Sequence, residues 1–356
     1  MAVLRHAGMR GLIAHACCRI LGSVNVEHPR NLLTDVAGIA VGNAEDLRLG
    51  SGVTVIVFDR PAVASVSVLG GAPGGRDTDL LAPHNTVDAV DAIVLSGGSA
   101  FGLDAAGGVQ AALRDQGRGI AIGAARVPIV PQVILFDLLN GGDKDWGRFS
   151  PYRDMGYAAA CALDRNFALG SVGAGAGATT ATVKGGLGSA SAVTPRGHTV
   201  AAIVAVNAVG APTIGAGPHF WAAPFERNGE FGGRGLPTSF DTTLRTKAGR
   251  GTGTTIGLVA TDAVLTKAQA MRLAIMAHDG LGRAVLPAHA PLDGDTIFAA
   301  ATGFRPMSDP VIELTELGHY ATQVMARAIA RGVYEAAALP VPGAQPSWRD
   351  RFVTSG

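Results

Sequence analysis

The sequence predicts a layered α/β fold, in which helices cover a β-sheet core. Short β-branched and apolar runs that end in glycine-rich turns indicate buried strands, as at residues 53–58 and 91–95. Two amphipathic segments, residues 266–277 and 309–338, are typical of helices packed against such a sheet. Strands and helices follow one another along the chain, so we expect both to contribute to one layered core.

The composition limits the partners that this chain could have. Its 356 residues can form one large α/β domain or two ordinary ones. Only 16% are charged and 47% are hydrophobic, which predicts a large core and some surface buried between subunits of a homo-oligomer. The net charge of +1, with no Lys/Arg block, argues against nucleic acid as the main partner. No stretch reaches the roughly 18 apolar residues of a membrane span, so no membrane partner is expected.

Residues 1–30 are expected to be a loose N-terminal extension. Their short apolar run is broken by histidine, cysteine and arginine, and it makes a poor signal peptide. The chain has three cysteines, a sparse odd set without metal spacing, which fits a reducing compartment. We therefore expect a cytoplasmic location, with Cys161 as a core thiol.

The first half of the chain contains several strand signals. The expected strands are residues 31–36, 38–42, 53–58, 62–69 and 91–95. A glycine-rich turn at residues 96–102 then leads into a helix of small residues at 103–113. Strand, glycine turn and helix can also build a phosphate site, but neither nucleotide-binding glycine motif is present. The Ala and Gly content of the helix favours close packing on a sheet instead.

The second half brings polar residues to the ends of apolar runs. An apolar stretch at 127–137 and a helix at 157–163 precede a second glycine-rich loop, residues 170–178. Lys184 follows that loop, and residues 187–193 and 199–206 are expected to form a hairpin that ends at Asn207. Residues 211–250 are expected to be a long irregular linker, and residues 339–356 a loose C-terminal tail.

Thr254 begins a strand directly after a flexible glycine loop. This pattern fits an N-terminal nucleophile, which is released when the chain cuts itself between Gly253 and Thr254. A free α-amino group titrates near neutral pH and could take the proton from its own Oγ. The alternative is an ordinary Gly-Thr turn, just as Lys184 could be a surface lysine and Asn207 a turn residue.

Other kinds of catalytic site receive little support. His278 and His289 lie near Asp293 and Asp295 in the sequence, but their spacing matches no zinc pattern. A G-x-S-x-G nucleophile elbow is also absent. The sequence thus predicts neither a metal nor a cofactor.

Several motifs, taken in order, resemble those of the DmpA-type aminopeptidases, a family with β-aminopeptidases and 6-aminohexanoate-oligomer (nylon-oligomer) hydrolases. The resemblance covers residues 31–338, nearly the whole chain. Its motifs are Arg76-Asp77-Thr78-Asp79, Ser96-Gly97-Gly98-Ser99-Ala100-Phe101-Gly102, Val172-Gly173-Ala174-Gly175, Lys184-Gly185-Gly186, Val206-Asn207, Thr254-Thr255-Ile256-Gly257 and Asp293-Gly294-Asp295-Thr296.

The resemblance implies an αββα sandwich that forms a single catalytic domain over residues 31–338. It also implies self-cleavage into fragments 1–253 and 254–356, which would assemble as a homotetramer of cleaved heterodimers. Its implied substrates are short peptides, amino-acid amides or amide oligomers, and no cofactor is implied.

The resemblance also implies roles for individual residues. Thr254 is the expected nucleophile, Lys184 and Asn207 the residues that assist it, and Asp293 and Asp295 the supports for the amine or substrate. Phe136, Thr255 and Gly173 are expected to support the site or substrate.

Two positions depart from the family pattern. Gly253 stands where asparagine is common, and Phe136 stands where some relatives have a tyrosine that helps the oxyanion. Oxyanion stabilisation is therefore expected from Asn207 and backbone amides.

Two other functions remain open at this stage. An acyltransferase of the ornithine acetyltransferase type has the same fold and would pass the acyl group to an amine instead of water. A non-catalytic nucleotide-binding or scaffold protein is the third possibility.

Overall fold

The computed structural model describes residues 29–247 and 252–353, which form twelve strands and five α-helices. The strands are β1 (Ile39–Asp46), β2 (Ser51–Val68), β3 (Gly75–Arg76), β4 (Ala89–Ser96), β5 (Ile120–Ile122), β6 (Ala125–Val127), β7 (Gln132–Ile134), β8 (Leu163–Asp164), β9 (Gly186–Val193), β10 (Thr199–Asn207), β11 (Thr254–Ala263) and β12 (Thr296–Arg305). The helices are α1 (Ala105–Asp115), α2 (Tyr152–Cys161), α3 (Lys267–Gly282), α4 (Pro310–Tyr334) and α5 (Trp348–Phe352).

The long strand β2 connects two half-sheets. Its first part pairs with β1 and β4, and its second part pairs with β12. The sequence predicted two strands here, residues 53–58 and 62–69, whereas the structure has one. The pairing of β2 with β4 shifts register between Val57 and Ala62. Residues 59–61 of this stretch are exposed, so the strand tolerates Pro61, which has no N–H to donate to a neighbouring strand.

Apolar side chains alternate between the two faces of the strands and so build four layers. Ile56 of β2, Ile203 of β10 and Phe298 of β12 meet in the layer between the half-sheets. The opposite face of the first half-sheet packs on α1 and α2, and that of the second packs on α3 and α4. This confirms the layered α/β fold and its αββα order. The two half-sheets are hydrogen-bonded into one ten-stranded sheet through β2.

The second half-sheet positions the residues that the sequence singled out. Strands β9 and β10 form the predicted antiparallel hairpin. Strand β11 pairs antiparallel with β10 on one side and parallel with β12 on the other. In this register Asn207 lies opposite Thr254, at the same edge of the sheet where β12 begins.

The helix ends follow local signals in the sequence. Thr266 caps α3 by a capping box with Gln269, as its position before the helix predicted. The side chain of Asp309 accepts hydrogen bonds from the first turn of α4. Helix α2 begins earlier than predicted, and Cys161 at its end is exposed, so the expectation of a core thiol was wrong. In the described part of the chain, every helix is too short or too polar to cross a membrane.

The C-terminal segment is packed against the body, in contrast to the loose tail expected after Pro340. Trp348 is almost fully buried, and its indole Nε1 donates to Pro218 O at 3.0 Å. Its ring stacks on Phe220 at a centroid distance of 5.6 Å. Burial of so large an aromatic surface holds this segment in place.

Two further segments of the chain were expected to be irregular. Residues 1–28 of the expected N-terminal extension lie outside the described residues, as do residues 248–251 of the expected linker. The described part of the linker contains one short 3-10 turn, Ala223–Phe225, and otherwise irregular backbone. Phe220 and Phe231 nevertheless anchor it in the core.

The contact between β9 and α4 depends on glycine, and we predict that Gly188→Ala destabilises the protein. A Cβ at Gly188 would overlap the carbonyl oxygen of Ala328 and lie 2.6 Å from Gly332 N. Such overpacking typically costs about 1–3 kcal/mol. Urea unfolding should show this loss. The matched control is Gly282→Ala, where an added Cβ meets nothing within 4 Å and helix propensity favours alanine. Equal midpoints for the two variants would contradict the packing argument.

Candidate active site

Thr254 lies at the start of β11, buried between β10 and β12. Its Oγ1 donates a short hydrogen bond to the carbonyl oxygen of Gly253, the residue before it. The Gly294 N–H points at both oxygens, with the nitrogen 3.2 Å from Thr254 Oγ1 and 3.3 Å from Gly253 O. The hydroxyl and the preceding peptide bond are therefore held together beside a backbone N–H donor.

The loop Asp293-Gly294-Asp295 surrounds this peptide bond. Asp293 accepts from Val209 N and Ala290 N, both at 3.1 Å. Asp295 accepts from Thr255 N at 2.8 Å. Burial, together with the neighbouring charge of Asp295, raises the pKa of Asp293 to about 6. Asp295 thus fixes the backbone directly after Thr254, and Asp293 ties the end of β10 to the loop before β12.

Gly253 has no room for a side chain. A Cβ there would overlap Val209 N and lie 2.7 Å from Asp293 Oδ1. Gly253 N also donates to Leu292 O at 3.2 Å, so the backbone itself is held against the loop. The two segments therefore approach so closely at Gly253 that only glycine fits without a backbone shift.

Asn207 is the centre of a hydrogen-bond network beside Thr254. Its side-chain N–H donates to Phe136 O at 2.8 Å, and its Oδ1 accepts from Thr179 N at 2.9 Å. The ammonium group of Lys247 donates to Asn207 O at 2.9 Å and to Asn207 Oδ1 at 3.0 Å. These hydrogen bonds fix the orientation of the side-chain amide.

Lys184 is one of the largest fully buried side chains among the described residues. Its Nζ donates to the carbonyl oxygens of Gly175 and Gly185, both at 3.0 Å. Burial lowers its pKa to about 7; the carboxylate of Asp137 opposes this shift, and Lys247 adds to it. The alternative of a surface lysine is excluded by this position.

Asp137 occupies the centre of the first glycine-rich turn. It accepts from Gly98 N and from Ser51 Oγ, each at 2.7 Å, and burial raises its pKa. Tyr152 in turn donates to Ser51 Oγ at 2.9 Å. The Gly98 amide, which could have faced a phosphate, is therefore already used by a carboxylate. This leaves the nucleotide-binding alternative without a donor at that position.

Phe136, Asp137, Thr179, Lys247 and Thr252 line a cleft of about 480 Å³. Residues near the C-terminus complete its wall, namely Gly343 and Gln345. The expected supporting residue Phe136 is therefore at the cleft, and its carbonyl orients Asn207.

The other two expected supporting residues differ in their surroundings. Thr255 is bound by Asp295 through its backbone, and its buried Oγ1 has no hydrogen-bond partner among the described residues. Gly173 instead lies against β1 and β2, where its N–H donates to Glu45 Oε2 at 2.8 Å. Thr255 therefore lies at the candidate site, next to Thr254 in the chain. The contacts of Gly173 are in the first half-sheet.

Sequence reasoning missed Lys247 and Asp137. Lys247 lies in a segment whose Gly, Pro and charge content indicated only a linker. Asp137 follows the apolar residues 133–136 directly, and a charged residue at the end of a buried strand was the available signal. His289 was noted for its spacing alone; in the structure its Nδ1 lies 2.9 Å from Asp295 Oδ2.

Comparison with known proteins identifies the family of this chain. The model of peptidase family S58 matches residues 31–345. The chain belongs to this peptidase family. An uncharacterized aminopeptidase of Mycobacterium tuberculosis is 42% identical over 346 residues, which cover 90% of this chain and 98% of the relative. It follows that the protein is a hydrolase that acts on peptide or amide bonds.

More distant relatives are similar in sequence or in fold. The 6-aminohexanoate-oligomer endohydrolase of a Kocuria species is 28% identical over 284 residues, 75% of this chain and 74% of that protein. The L-aminopeptidase D-Ala-esterase/amidase of Ochrobactrum anthropi, described as a variant of the Ntn hydrolase fold, superposes with a TM-score of 0.65. It is 20% identical and covers 93% of this chain and 94% of the other. These matches support the Ntn-type αββα fold.

We predict that Asp293 makes stability depend on pH. Its pKa is raised from an ordinary value of 3.8 to about 6, so the native chain keeps a proton that the unfolded chain has lost. Its contribution to stability is therefore present below pH 4 and is lost as pH rises through 6. In a Thr254→Ala background, the stability difference between Asp293 and Asp293→Asn chains should change by about 2–3 kcal/mol between pH 4 and 8. A difference independent of pH in urea unfolding would contradict this assignment.

Proposed function

We propose that this chain is a self-processing N-terminal-threonine amidohydrolase. It cuts itself between Gly253 and Thr254 and then hydrolyses amide bonds through an acyl-enzyme on Thr254. The observation that carries the proposal is the position of Thr254 Oγ1 against the Gly253 carbonyl, with the Gly294 N–H facing both oxygens.

In the uncut chain, Thr254 Oγ attacks the carbonyl carbon of Gly253. Negative charge then develops on Gly253 O, where the Gly294 N–H is already aimed, 3.3 Å away. The Gly253–Thr254 C–N bond breaks, and the hydroxyl proton passes to the departing nitrogen. Water hydrolyses the resulting ester, which leaves a free carboxylate on Gly253 and a free amino group on Thr254.

In the processed enzyme the freed amine acts as the base. It removes the proton from Thr254 Oγ, which attacks the substrate carbonyl, and it passes that proton to the nitrogen of the amine product as the C–N bond breaks. Water then hydrolyses the acyl-enzyme ester, which releases the acid product and restores the Thr254 hydroxyl. Asn207 and backbone N–H groups stabilise the oxyanion, because Phe136 offers no hydroxyl for this purpose. Asp293 and Asp295 hold the backbone beside the new terminus and orient its amino group.

The cleft reaches Thr252, two residues before Thr254, and its volume of about 480 Å³ fits small substrates. We include short peptides, amino-acid amides and amide oligomers of the 6-aminohexanoate type, the last because one relative carries that activity in its name. We also propose a cytoplasmic homotetramer of cleaved heterodimers. Exposed apolar side chains such as Phe304, Val311 and Ile312 are available for subunit contacts.

The proposal predicts that Thr254→Ala purifies as one uncut chain without amidase activity. Intact-mass spectrometry should find fragments 1–253 and 254–356 in the wild type and a single mass in the variant. Thr252→Ala is the matched control, since it removes a nearby hydroxyl and should leave cleavage intact. Free acid should form from an amino-acid amide without any added amine acceptor. Normal cleavage of Thr254→Ala would refute the nucleophile, and product that forms only with an added amine would favour an acyltransferase.

We further predict that Lys184→Met lowers turnover on the order of 100-fold or more, the size of one general-base or electrostatic contribution. We take the buried Lys184 ammonium to act on the amine of Thr254, since a nearby positive charge lowers the pKa of an amine. Loss of the Lys184 charge should therefore also move the acidic limb of the pH–activity profile to higher pH. Lys267→Met is the control. That lysine is also buried and donates to three carbonyl oxygens, so its loss should reduce stability without moving the limb. A Lys184→Met enzyme with wild-type turnover would contradict the role of Lys184.

A further inference from the structure

His289 holds the carboxylate of Asp295 through two donors. Its backbone N and its ring Nδ1 both lie 2.9 Å from the same oxygen, Asp295 Oδ2. A carboxylate oxygen only accepts hydrogen bonds, so the ring donates from Nδ1 and carries its proton there. The other oxygen of Asp295 accepts from Thr255 N at 2.8 Å. One carboxylate therefore connects His289 to the start of β11, directly after Thr254.

The backbone of His289 lies in the left-handed region, with a φ of 56°. This conformation is uncommon for residues other than glycine, although asparagine and histidine adopt it more often than most. The next N–H along the chain, that of Ala290, donates to Asp293 Oδ2 at 3.1 Å. Successive N–H groups around a left-handed residue form a concavity that suits negative charge. The turn at His289 thus holds Asp293 and Asp295 side by side, although their like charges repel.

The ring of His289 packs against a second, anchored histidine. The rings of His289 and His278 meet edge to face, with their centroids 5.0 Å apart. His278 is buried on α3, and its Nε2 donates to Ser67 O of β2 at 3.0 Å. Burial lowers the pKa of His278 to about 4, so this ring is uncharged near neutral pH. Contact with a fixed, neutral ring therefore keeps the His289 ring in the orientation that faces Asp295.

We propose that His289 is a positioning residue for Thr254 and that it acts through Asp295. The proposal rests on the proposed function, because it adds a residue to the machinery of the same reaction. His289 fixes Asp295, and Asp295 fixes the N–H of Thr255, so the Thr254 hydroxyl is kept against the carbonyl that it attacks. His289 supplies no reacting atom. Its effect arises because a small displacement of a nucleophile slows a reaction strongly.

Two substitutions at position 289 separate the ring donor from the backbone turn. His289→Gly removes the ring, but it keeps the backbone N–H and suits the left-handed conformation. His289→Asn also suits that conformation, and its side-chain N–H can replace the donor at Nδ1. Urea unfolding of both variants measures any loss of stability separately from the loss of rate.

The glycine variant should lower turnover of alanine p-nitroanilide by about 10- to 100-fold, the cost of a small misplacement of the reacting group. It should also increase the uncut fraction that intact-mass spectrometry detects. The asparagine variant should recover most of both losses, which a ring that only fills space would not explain. Wild-type turnover in folded His289→Gly protein would overturn the proposal. If His289→Gly does not fold, His289→Asn still decides, because turnover reduced by about 10-fold or more with the donor kept would also overturn it.

Amide hydrogen exchange tests the positioning without any need for activity. In a Thr254→Ala background, His289→Gly should speed exchange of the Thr255 N–H, by NMR, at least about 10-fold more than exchange of the Val259 N–H. Val259 is the internal control, since it lies in the middle of β11 and is paired on both sides. A general loss of stability would speed both amides alike. Equal changes at the two amides, or no change at Thr255, would overturn the proposal.

Failure of the proposed function would look different. If the wild type is neither cut nor active, the proposed function fails, while the exchange comparison still decides whether His289 holds the start of β11. If activity depends on Thr254 but folded His289→Gly protein turns over like wild type, only the role of His289 is overturned.

Discussion

The site depends on the close approach of the Gly253–Thr254 peptide to the loop Asp293-Gly294-Asp295. This approach leaves no space for a side chain at position 253, and it aims the Gly294 N–H at both Thr254 Oγ1 and Gly253 O. It also removes water from Asp293, which is why the pKa of that carboxyl rises. The geometry exists because β11 enters the sheet between β10 and β12, so that its first residue is fixed from both sides.

Much of the fold could be predicted because its signals are local. The apolar runs at β2, β4, β10 and β11 are buried on both faces, and such strands are recognisable from a few residues. The cap of α3 is likewise encoded by Thr266 and Gln269 alone. The candidate site residues were predicted from a different signal. Thr254, Asn207 and Asp293 are far apart in sequence, and only the ordered set of family motifs linked them before the register of β10 and β11 was known.

The features that sequence reasoning missed all depend on long-range contacts. Lys247 acquires its position from Asn207, forty residues earlier, and nothing near it in the sequence distinguishes it from a solvated linker lysine. The proline and glycine content of the C-terminal segment is typical of a loose tail, but Trp348 packs against the rings of Phe220 and Tyr334. The backbone carbonyl of Pro346 even accepts from Lys184 N at 2.8 Å, which connects this end of the chain to the candidate site.

Because the sheet is continuous, refolding of a chain cut before Thr254 differs from refolding of the uncut chain. The two fragments would share the pairings of β10 with β11 and of β2 with β12, which together run through the middle of the sheet. They would therefore stay associated without a covalent link, since separation would expose the shared apolar core. Once denatured, however, the fragments would have to find each other again in a second-order reaction. Recovery of the cut protein would then depend on its concentration, whereas the uncut chain carries both halves of the sheet in one molecule.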